Sequence, residues 1–150
     1  TLLNEILIAP CGMNCALCIA YQGKLVDINN KGFHRKYCDG CIPRGEGCLH
    51  MGDACDKLKN RLVRFCYECG DFPCKRLRSL DKRYRTKYRM SMIDNLLFID
   101  ESGMEAFLDK EILKWSCSDC GGTVCCHNGL CLNCGLEKLR SNKKYRWNEE

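Results

Sequence analysis

The sequence predicts a small, metal-stabilised, α-rich (α+β) protein. Sixteen of its 150 residues are cysteine, which is far above ordinary usage. Large aliphatic and aromatic residues are too thinly spread for one large hydrophobic core, so cross-links or metal ions are expected to replace buried area. We predict a cysteine-rich metal-binding module over 1–80, a helical connector over 81–114, a zinc ribbon over 115–136 and a basic tail over 137–150.

The cysteines indicate metal binding more strongly than a disulfide scaffold, which is the alternative. Many of them form C-x2-C pairs, a spacing that lets two thiolates bind one ion. Residues 1–10 lack the basic start of a secretory signal, and no apolar run approaches the length of a bilayer span. We therefore expect a soluble, cytoplasmic protein that does not associate with membranes.

The N-terminal module holds ten cysteines between Cys11 and Cys74, and none follows until Cys117. Two tetrahedral sites need eight thiolates, and His34 or His50 could substitute for a cysteine. Spacing does not determine which residues share an ion. We expect each C-x2-C pair to act as a bidentate unit, namely Cys15/Cys18, Cys38/Cys41 and Cys66/Cys69.

The stretch 10-PCGMNCALC-18 has the C-x3-C-x2-C spacing with which radical S-adenosylmethionine enzymes bind a catalytic iron-sulfur cluster. The roughly eighty residues before the connector lack the alternating strands and helices of the partial barrel that such enzymes need. Leu17 also stands where those enzymes usually have an aromatic residue. A non-catalytic iron-sulfur cluster stays as the alternative to zinc, because thiolates bind both metals.

Helical periodicity predicts two further parts of the chain. A helix is expected over 53–65, with Cys55 on its inward face, after an irregular glycine-rich loop. In the connector, Ser102 and Glu105 form an S-x-x-E capping box. The apolar stripe that follows it contains Met104, Phe107, Leu108, Ile112 and Trp115.

The segment 115-WSCSDCGGTVCCHNGLCLNCG-135 carries two knuckles, each a C-x2-C pair followed by glycine. Glycine accepts the backbone angles that let amides turn towards the thiolates. Cys117, Cys120, Cys131 and Cys134 are therefore predicted to form a closed tetrahedral site, with a hairpin turn at Asn128-Gly129 between the knuckles. This is the pattern of a small zinc-ribbon hairpin.

Three residues between the knuckles are surplus to that site. Cys125 and Cys126 are adjacent, so on a strand they would point to opposite faces, with one of them packing as a small apolar residue. His127 is expected near the turn. The alternatives are that Cys125 or Cys126 replaces one of the four ligands, or that the surplus residues have a redox or metal-exchange role.

The chain resembles the domain-of-unknown-function family 3795 of bacteria and archaea. The resemblance rests on 10-PCGMNCALCIAY-21, 38-CDGC-41 and 66-CYECGDFPCKRL-77, and 115-WSCSDCGG-122 is similar to the ribbon appended to some members. It implies a small zinc-binding module of unknown activity, with Cys48 a less certain ligand. The motif cysteines that it supports are Cys11, Cys15, Cys18, Cys38, Cys41, Cys55, Cys66, Cys69 and Cys74.

The basic run 75-KRLRSLDKRYRTKYRM-90 is the candidate interaction surface. Cations neutralise phosphates and tyrosines stack on bases, so Arg83, Arg85, Lys87, Tyr84 and Tyr88 are candidate nucleic-acid contacts. A protein partner fits the same surface. The alternative to both is a solvated helix face, with Tyr84 and Tyr88 packed against the body of the protein.

The sequence favours a zinc-binding structural or adaptor protein with about three zinc ions. We find no paired carboxylates, serine with histidine, or phosphate-binding loop, so the sequence leans away from an enzyme. An iron-sulfur redox protein, or an enzyme that uses a cysteine or an incompletely ligated metal with His34 or His50 as acid or base, is the alternative.

Overall fold

The computed structural model describes residues 4–40 and 64–147. Nearly all of the helix that the sequence predicts over 53–65 lies outside these residues. So do four of the candidate ligands, which are Cys41, Cys48, His50 and Cys55.

The described part of the chain is helix-rich, as the sequence predicts. Single turns of 3₁₀ helix cover Glu5–Leu7, Cys15–Leu17, Ile28–Lys31 and Cys66–Glu68. The α-helices are α1 (Ile19–Leu25), α2 (Lys75–Lys87), α3 (Met92–Ser102), α4 (Met104–Lys114) and α5 (Leu136–Ser141).

Extended pairing in the described residues is limited to isolated antiparallel bridges, which join Ile8 to Asn14, Ser116 to Thr123 and Val124 to Cys131. Two of these bridges lie in the segment for which the sequence predicts a ribbon hairpin. Around the predicted turn, the Cys125 amide donates to the Leu130 carbonyl at 2.8 Å. The segment therefore turns back on itself without a ladder of strands.

The junction between α3 and α4 differs from the predicted capping box. Ser102 is the last residue of α3, and Gly103, with a φ of 90°, is the N-cap of α4 without a side-chain cap hydrogen bond. A glycine accepts this backbone angle at little cost, so the chain turns sharply between two helices. Within α4, Phe107 is buried as predicted, but Ile112 is 40% exposed and Glu111 is buried instead.

Helices α2 and α3 pack against each other around the buried carboxylate of Asp81. Its Oδ1 atom accepts hydrogen bonds from the Ser91 hydroxyl at 2.6 Å and from the Ile93 amide at 3.1 Å. Its Oδ2 atom lies 3.3 Å from Nε of Arg85. The carboxylate thus fixes the first turn of α3 against the middle of α2.

Two hydrophobic clusters hold the described residues together. The larger cluster combines the N-terminal segment with α2, α3 and α4 and includes Cys126 from between the knuckles. The smaller cluster joins Ile19 and Ile28 to Cys125, Leu139 and Tyr145. The predicted division into four segments remains a prediction.

Among the described helices, the longest is α2, with 13 residues. A helix needs about 20 apolar residues to cross a bilayer. Within 4–40 and 64–147, no helix has the length and apolarity for a membrane span.

Candidate metal centre

The first knuckle folds through hydrogen bonds that aim backbone amides at sulfur. The Cys117 amide donates to the Gly122 carbonyl at 2.7 Å, and the Gly122 amide donates to Sγ of Cys120 at 3.4 Å. Gly121 has a φ of +75°, which favours glycine. A Cβ at Gly122 would lie 3.1 Å from Sγ of Cys131 and 3.3 Å from Sγ of Cys120. The glycine pair therefore leaves room for the sulfur atoms.

The second knuckle precedes α5. The Gly135 amide donates to the Cys131 carbonyl at 2.6 Å, which closes the turn that contains Cys134. A Cβ at Gly135 would come within 2.9 Å of the same carbonyl oxygen. Glycine at this position thus allows the tight turn that brings both thiols to one side.

The two knuckles place four sulfur atoms, those of Cys117, Cys120, Cys131 and Cys134, within 4.8 Å of one another. The Cys117–Cys134 and Cys120–Cys131 separations are 3.5 and 3.6 Å, too long for disulfide bonds of about 2.05 Å. In a tetrahedral zinc site with Zn–S bonds of about 2.3 Å, sulfur atoms lie about 3.8 Å apart. The donor set and its spacing fit one tetrahedral metal ion.

The thiols of this group perturb one another. The amide of Gly122 and the side-chain amide of Asn133 lower the pKa of Cys120 to about 7. The thiol of Cys117 beside Cys134 raises the pKa of Cys134 to about 12. Four adjacent thiolates repel one another without a cation, so a divalent ion would favour the fully deprotonated group.

Two C-x2-C pairs of the N-terminal segment, Cys15/Cys18 and Cys66/Cys69, share one local fold. Each begins a 3₁₀ turn, in which the Cys18 amide donates to the Cys15 carbonyl and the Cys69 amide donates to the Cys66 carbonyl, both at 3.1 Å. The Asp71 amide donates to Sγ of Cys69 at 3.4 Å, which is the same two-residue spacing as at Cys120.

Cys38 has a similar environment, because the Gly40 amide lies 3.4 Å from its Sγ atom. The Cys38 amide also donates to the Ala20 carbonyl of α1 at 3.2 Å. Within 4–40 and 64–147, the C-terminal four cysteines form the one group of three or more candidate ligands that is close enough to share an ion. The N-terminal ligand set, including Cys11 and Cys74, therefore remains a prediction, and His34 is exposed.

One comparison concerns this N-terminal segment. Residues 7–79 match the family described as protein of unknown function (DUF3795). The resemblance inferred from the sequence is thus confirmed, and the four-thiolate group lies beyond the matched DUF3795 residues. No curated protein and no solved structure matches the chain.

The surplus cysteines lie outside the four-thiolate group. Both are fully buried, with Cys126 in the larger cluster beside the DUF3795 segment and Cys125 in the smaller one. They thus face opposite sides, as predicted, but both of them pack as small apolar residues. Burial raises the pKa of Cys125 to about 12 and that of Cys126 well above its ordinary value. Neutral, buried thiols of this kind are poor nucleophiles.

The predicted nucleic-acid contacts on α2 separate into two groups. Arg83, Arg85 and Lys87 are exposed. Tyr84 is only 4% exposed, and its hydroxyl lies 3.2 Å from Nε2 of His127. The prediction that Tyr84 stacks on bases is therefore wrong for this structure, because the ring belongs to the core. Tyr88 is half-buried.

Two residues have central positions that the sequence reasoning missed. His127 accepts a hydrogen bond from the Ile19 amide at 3.2 Å, so it connects the loop between the knuckles to α1. Glu111 is buried beside Asn14 and Trp115, whose side chains lie 3.4 and 3.1 Å from its carboxylate oxygens. Only the helical phase of α4, in which Glu111 falls between Phe107 and Trp115, could have indicated its burial.

Proposed function

We propose that the protein is a zinc-binding structural protein whose C-terminal thiolates hold one zinc ion in a ribbon-type module. The observation that carries this proposal is the approach of four sulfur atoms to within 4.8 Å of one another. Four thiolates from two knuckles form a closed site without an open position for a substrate, which is typical of structural zinc. We favour zinc over iron because of this pairwise ligand spacing.

The proposed ion would act by fixing the loop between the knuckles. That loop places Cys125 in one hydrophobic cluster and Cys126 in the other. Its Cys126 amide donates to the Leu17 carbonyl at 2.9 Å. An ion that ties Cys117 to Cys134 would therefore hold together a contact between the two cysteine-rich ends of the chain.

We extend the proposal to about three zinc ions in total, with two in the N-terminal half. Support comes from the amide-to-sulfur hydrogen bonds at Cys38 and Cys69, which repeat the local geometry of Cys120. Amides directed at sulfur stabilise thiolates, which are the metal-binding form.

Metal analysis of the purified chain, together with an absorbance spectrum, tests this function. We expect about three zinc ions per chain and no visible absorption band. Cys120→Ser and Cys134→Ser are the sharpest variants, because both side chains are exposed and their replacement removes a ligand with little loss of packing. Each should lower the zinc content by one ion and destabilise the fold.

The matched control is Ser118→Ala, an exposed residue within the first knuckle. It should retain the full metal content and stability. Full zinc content in Cys120→Ser and Cys134→Ser would contradict the assigned site. A brown protein that contains iron and sulfide would instead support an iron-sulfur redox protein or a metal-dependent enzyme.

A second candidate function is an adaptor role through the basic surface of α2. The observation that favours it is the exposure of its cations, whereas Asp81, the acid of this helix, is buried. Either a protein or a nucleic acid could bind there. If it is nucleic acid, binding should weaken steeply with salt, and Arg83→Glu with Arg85→Glu should reduce it. Absence of binding to any strand type at low salt would leave a protein as the partner.

A further inference from the structure

A cleft of about 350 Å³ lies between the start of α1, the end of α2 and the segment after α5. Ile19 lines it on the first side, and Tyr88 lines it directly after α2. His127 contributes from the loop between the knuckles. The volume is within the range of small-ligand sites. None of the four metal-site cysteines lines the cleft, so it is separate from the candidate metal centre.

Among the described residues that line this cleft, the charged ones are all cations, namely Arg35, Lys143, Lys144 and Arg146. Lys143 donates to the Gly32 carbonyl and covers the ring of Phe33, so it is already engaged. In the described parts of the chain, the other three form no ion pair with a carboxylate. Neighbouring cations without an acid create a positive field that attracts anions.

The segment that carries Lys143, Lys144 and Arg146 is anchored by contacts of its neighbouring residues. Tyr145, between Lys144 and Arg146, is only 4% exposed. After it, the Trp147 amide donates to the Asn128 carbonyl, and its indole Nε1 donates to the Cys126 carbonyl, both at 2.8 Å. The guanidinium of Arg89 lies 4.4 Å from the centre of the Trp147 ring. The backbone positions of the cations are therefore fixed before any ligand binds.

Two aromatic rings, those of Tyr88 and His127, contribute to the lining of the cleft. The rings of Tyr88 and His127 meet edge to face, with centroids 4.8 Å apart. Nδ1 of His127 accepts from the Ile19 amide, so in the neutral ring the proton is on Nε2, facing the Tyr84 hydroxyl. His127 is held in one orientation by these two contacts, and it supports the half-buried ring of Tyr88.

We propose that this cleft binds a nucleotide unit, with the phosphate at Arg35, Lys144 and Arg146 and the base against Tyr88. Cations beside an aromatic ring match the two chemical parts of a nucleotide. A free mononucleotide and a single-stranded nucleic acid offer the same unit. Both sources fit the cleft, because Tyr88 follows directly on the basic surface of α2, along which a strand could continue.

The experiment uses the zinc-loaded full chain with fluorescent hexanucleotides of RNA and DNA, measured by anisotropy across a salt series. Adenosine monophosphate and inorganic phosphate are the free-ligand probes, measured by calorimetry at low salt. The cleft variant is Lys144→Gln with Arg146→Gln. The matched control is Lys110→Gln with Lys114→Gln, which removes the same charge from exposed lysines of α4 that neither line the cleft nor belong to the basic surface of α2.

We expect the cleft variant to weaken binding at least tenfold, while the control changes it less than threefold. For a strand, loss of two phosphate contacts should lower the log–log salt slope by about 1.4. Tyr88→Leu keeps an apolar side chain but removes the aromatic face, so it should weaken nucleotide binding about fivefold or more and leave phosphate binding unchanged. Unchanged circular dichroism and zinc content would establish that each variant is folded.

If the hexanucleotides bind and adenosine monophosphate does not, the ligand is a strand. If adenosine monophosphate binds, the result supports a free nucleotide as the ligand. Equal losses in the cleft and control variants would overturn the proposal, since binding would then reflect net charge. Absence of binding for all probes at low salt would overturn it as well. If the cleft variant fails to fold, the response of Tyr88→Leu decides the same question. None of these outcomes affects the proposed zinc site, whose test is metal content.

Discussion

Replacement of Gly12 by alanine should destabilise the protein strongly. Gly12 lies in the C-G-M-N-C segment, with a φ of +90°. A Cβ there would lie 2.5 Å from the Met92 carbonyl oxygen and 2.9 Å from Cγ of Leu96. Both atoms belong to α3, and the nearer one is backbone. The side chain of Asn95 also donates to the Gly12 carbonyl at 2.9 Å, which holds the loop against this helix.

The expected loss has two parts. A residue with a Cβ at positive φ costs about 1–2 kcal/mol. Relief of the clash requires the loop and α3 to move apart, and overpacking of this kind costs about 1–3 kcal/mol. The free energy of unfolding should therefore fall by about 2–5 kcal/mol, which corresponds to a Tm lower by about 4–20 °C for a chain of this size.

Denaturant and thermal unfolding of the zinc-loaded protein provide the assay. Gly32→Ala is the matched control, because Gly32 has a φ of +95° and, apart from its chain neighbours, no atom of the described residues lies within 4 Å of the place that a Cβ would take. The control should lose only about 1–2 kcal/mol, which is the cost of a Cβ at positive φ. Equal destabilisation by both substitutions would refute the argument that Gly12 is required for close packing on α3.

Three further predictions concern buried polar groups. Asp81→Ala should cost about 2–3 kcal/mol in chemical denaturation, because it breaks hydrogen bonds to a charged acceptor at Ser91 and Ile93, whereas exposed Asp109→Ala should be near neutral. Burial raises the pKa of Glu111 above its ordinary 4.5, so ionisation opposes folding. Wild type should therefore lose stability relative to Glu111→Gln as pH rises above 4.5 through the folded-state pKa, and a pH-independent difference would contradict this. Cys125, with its pKa raised to about 12, should resist iodoacetamide at about pH 8 in peptide mapping until the protein is unfolded.

The grouping of the four C-terminal cysteines could be predicted from the sequence because the geometry of each knuckle is local. Each C-x2-C-G unit folds through hydrogen bonds between near neighbours, as the bond from Cys117 to Gly122 illustrates. Only one long-range step, the approach of the second knuckle to the first, remained to be inferred. The same reasoning could not partition the N-terminal thiols, because several equivalent pairs compete there and spacing favours none of them.

Three features of the structure could not be derived from local sequence patterns. Tyr84 was a candidate nucleic-acid contact because it lies among cations, yet it is buried, as the alternative interpretation expected, and it faces His127, 43 residues later in the sequence. Glu111 is buried because Asn14, 97 residues earlier, donates to it. At the α3–α4 junction, Gly103 is the N-cap in place of Ser102 from the predicted capping box, because its backbone permits a sharper turn between the helices. In each case, tertiary packing overrode a local propensity.

The contact between the two cysteine-rich ends of the chain affects which fragments of this protein could keep their structure. The family match ends at residue 79, inside the uninterrupted helix Lys75–Lys87. Two groups beyond residue 79 form hydrogen bonds with the matched part. The Cys126 amide donates to the Leu17 carbonyl, and the His127 ring accepts from the Ile19 amide. A fragment cut at the edge of sequence similarity would lose eight of the 13 residues of this helix and expose backbone groups that are now paired. The packed structure therefore extends beyond the residues that match the family model.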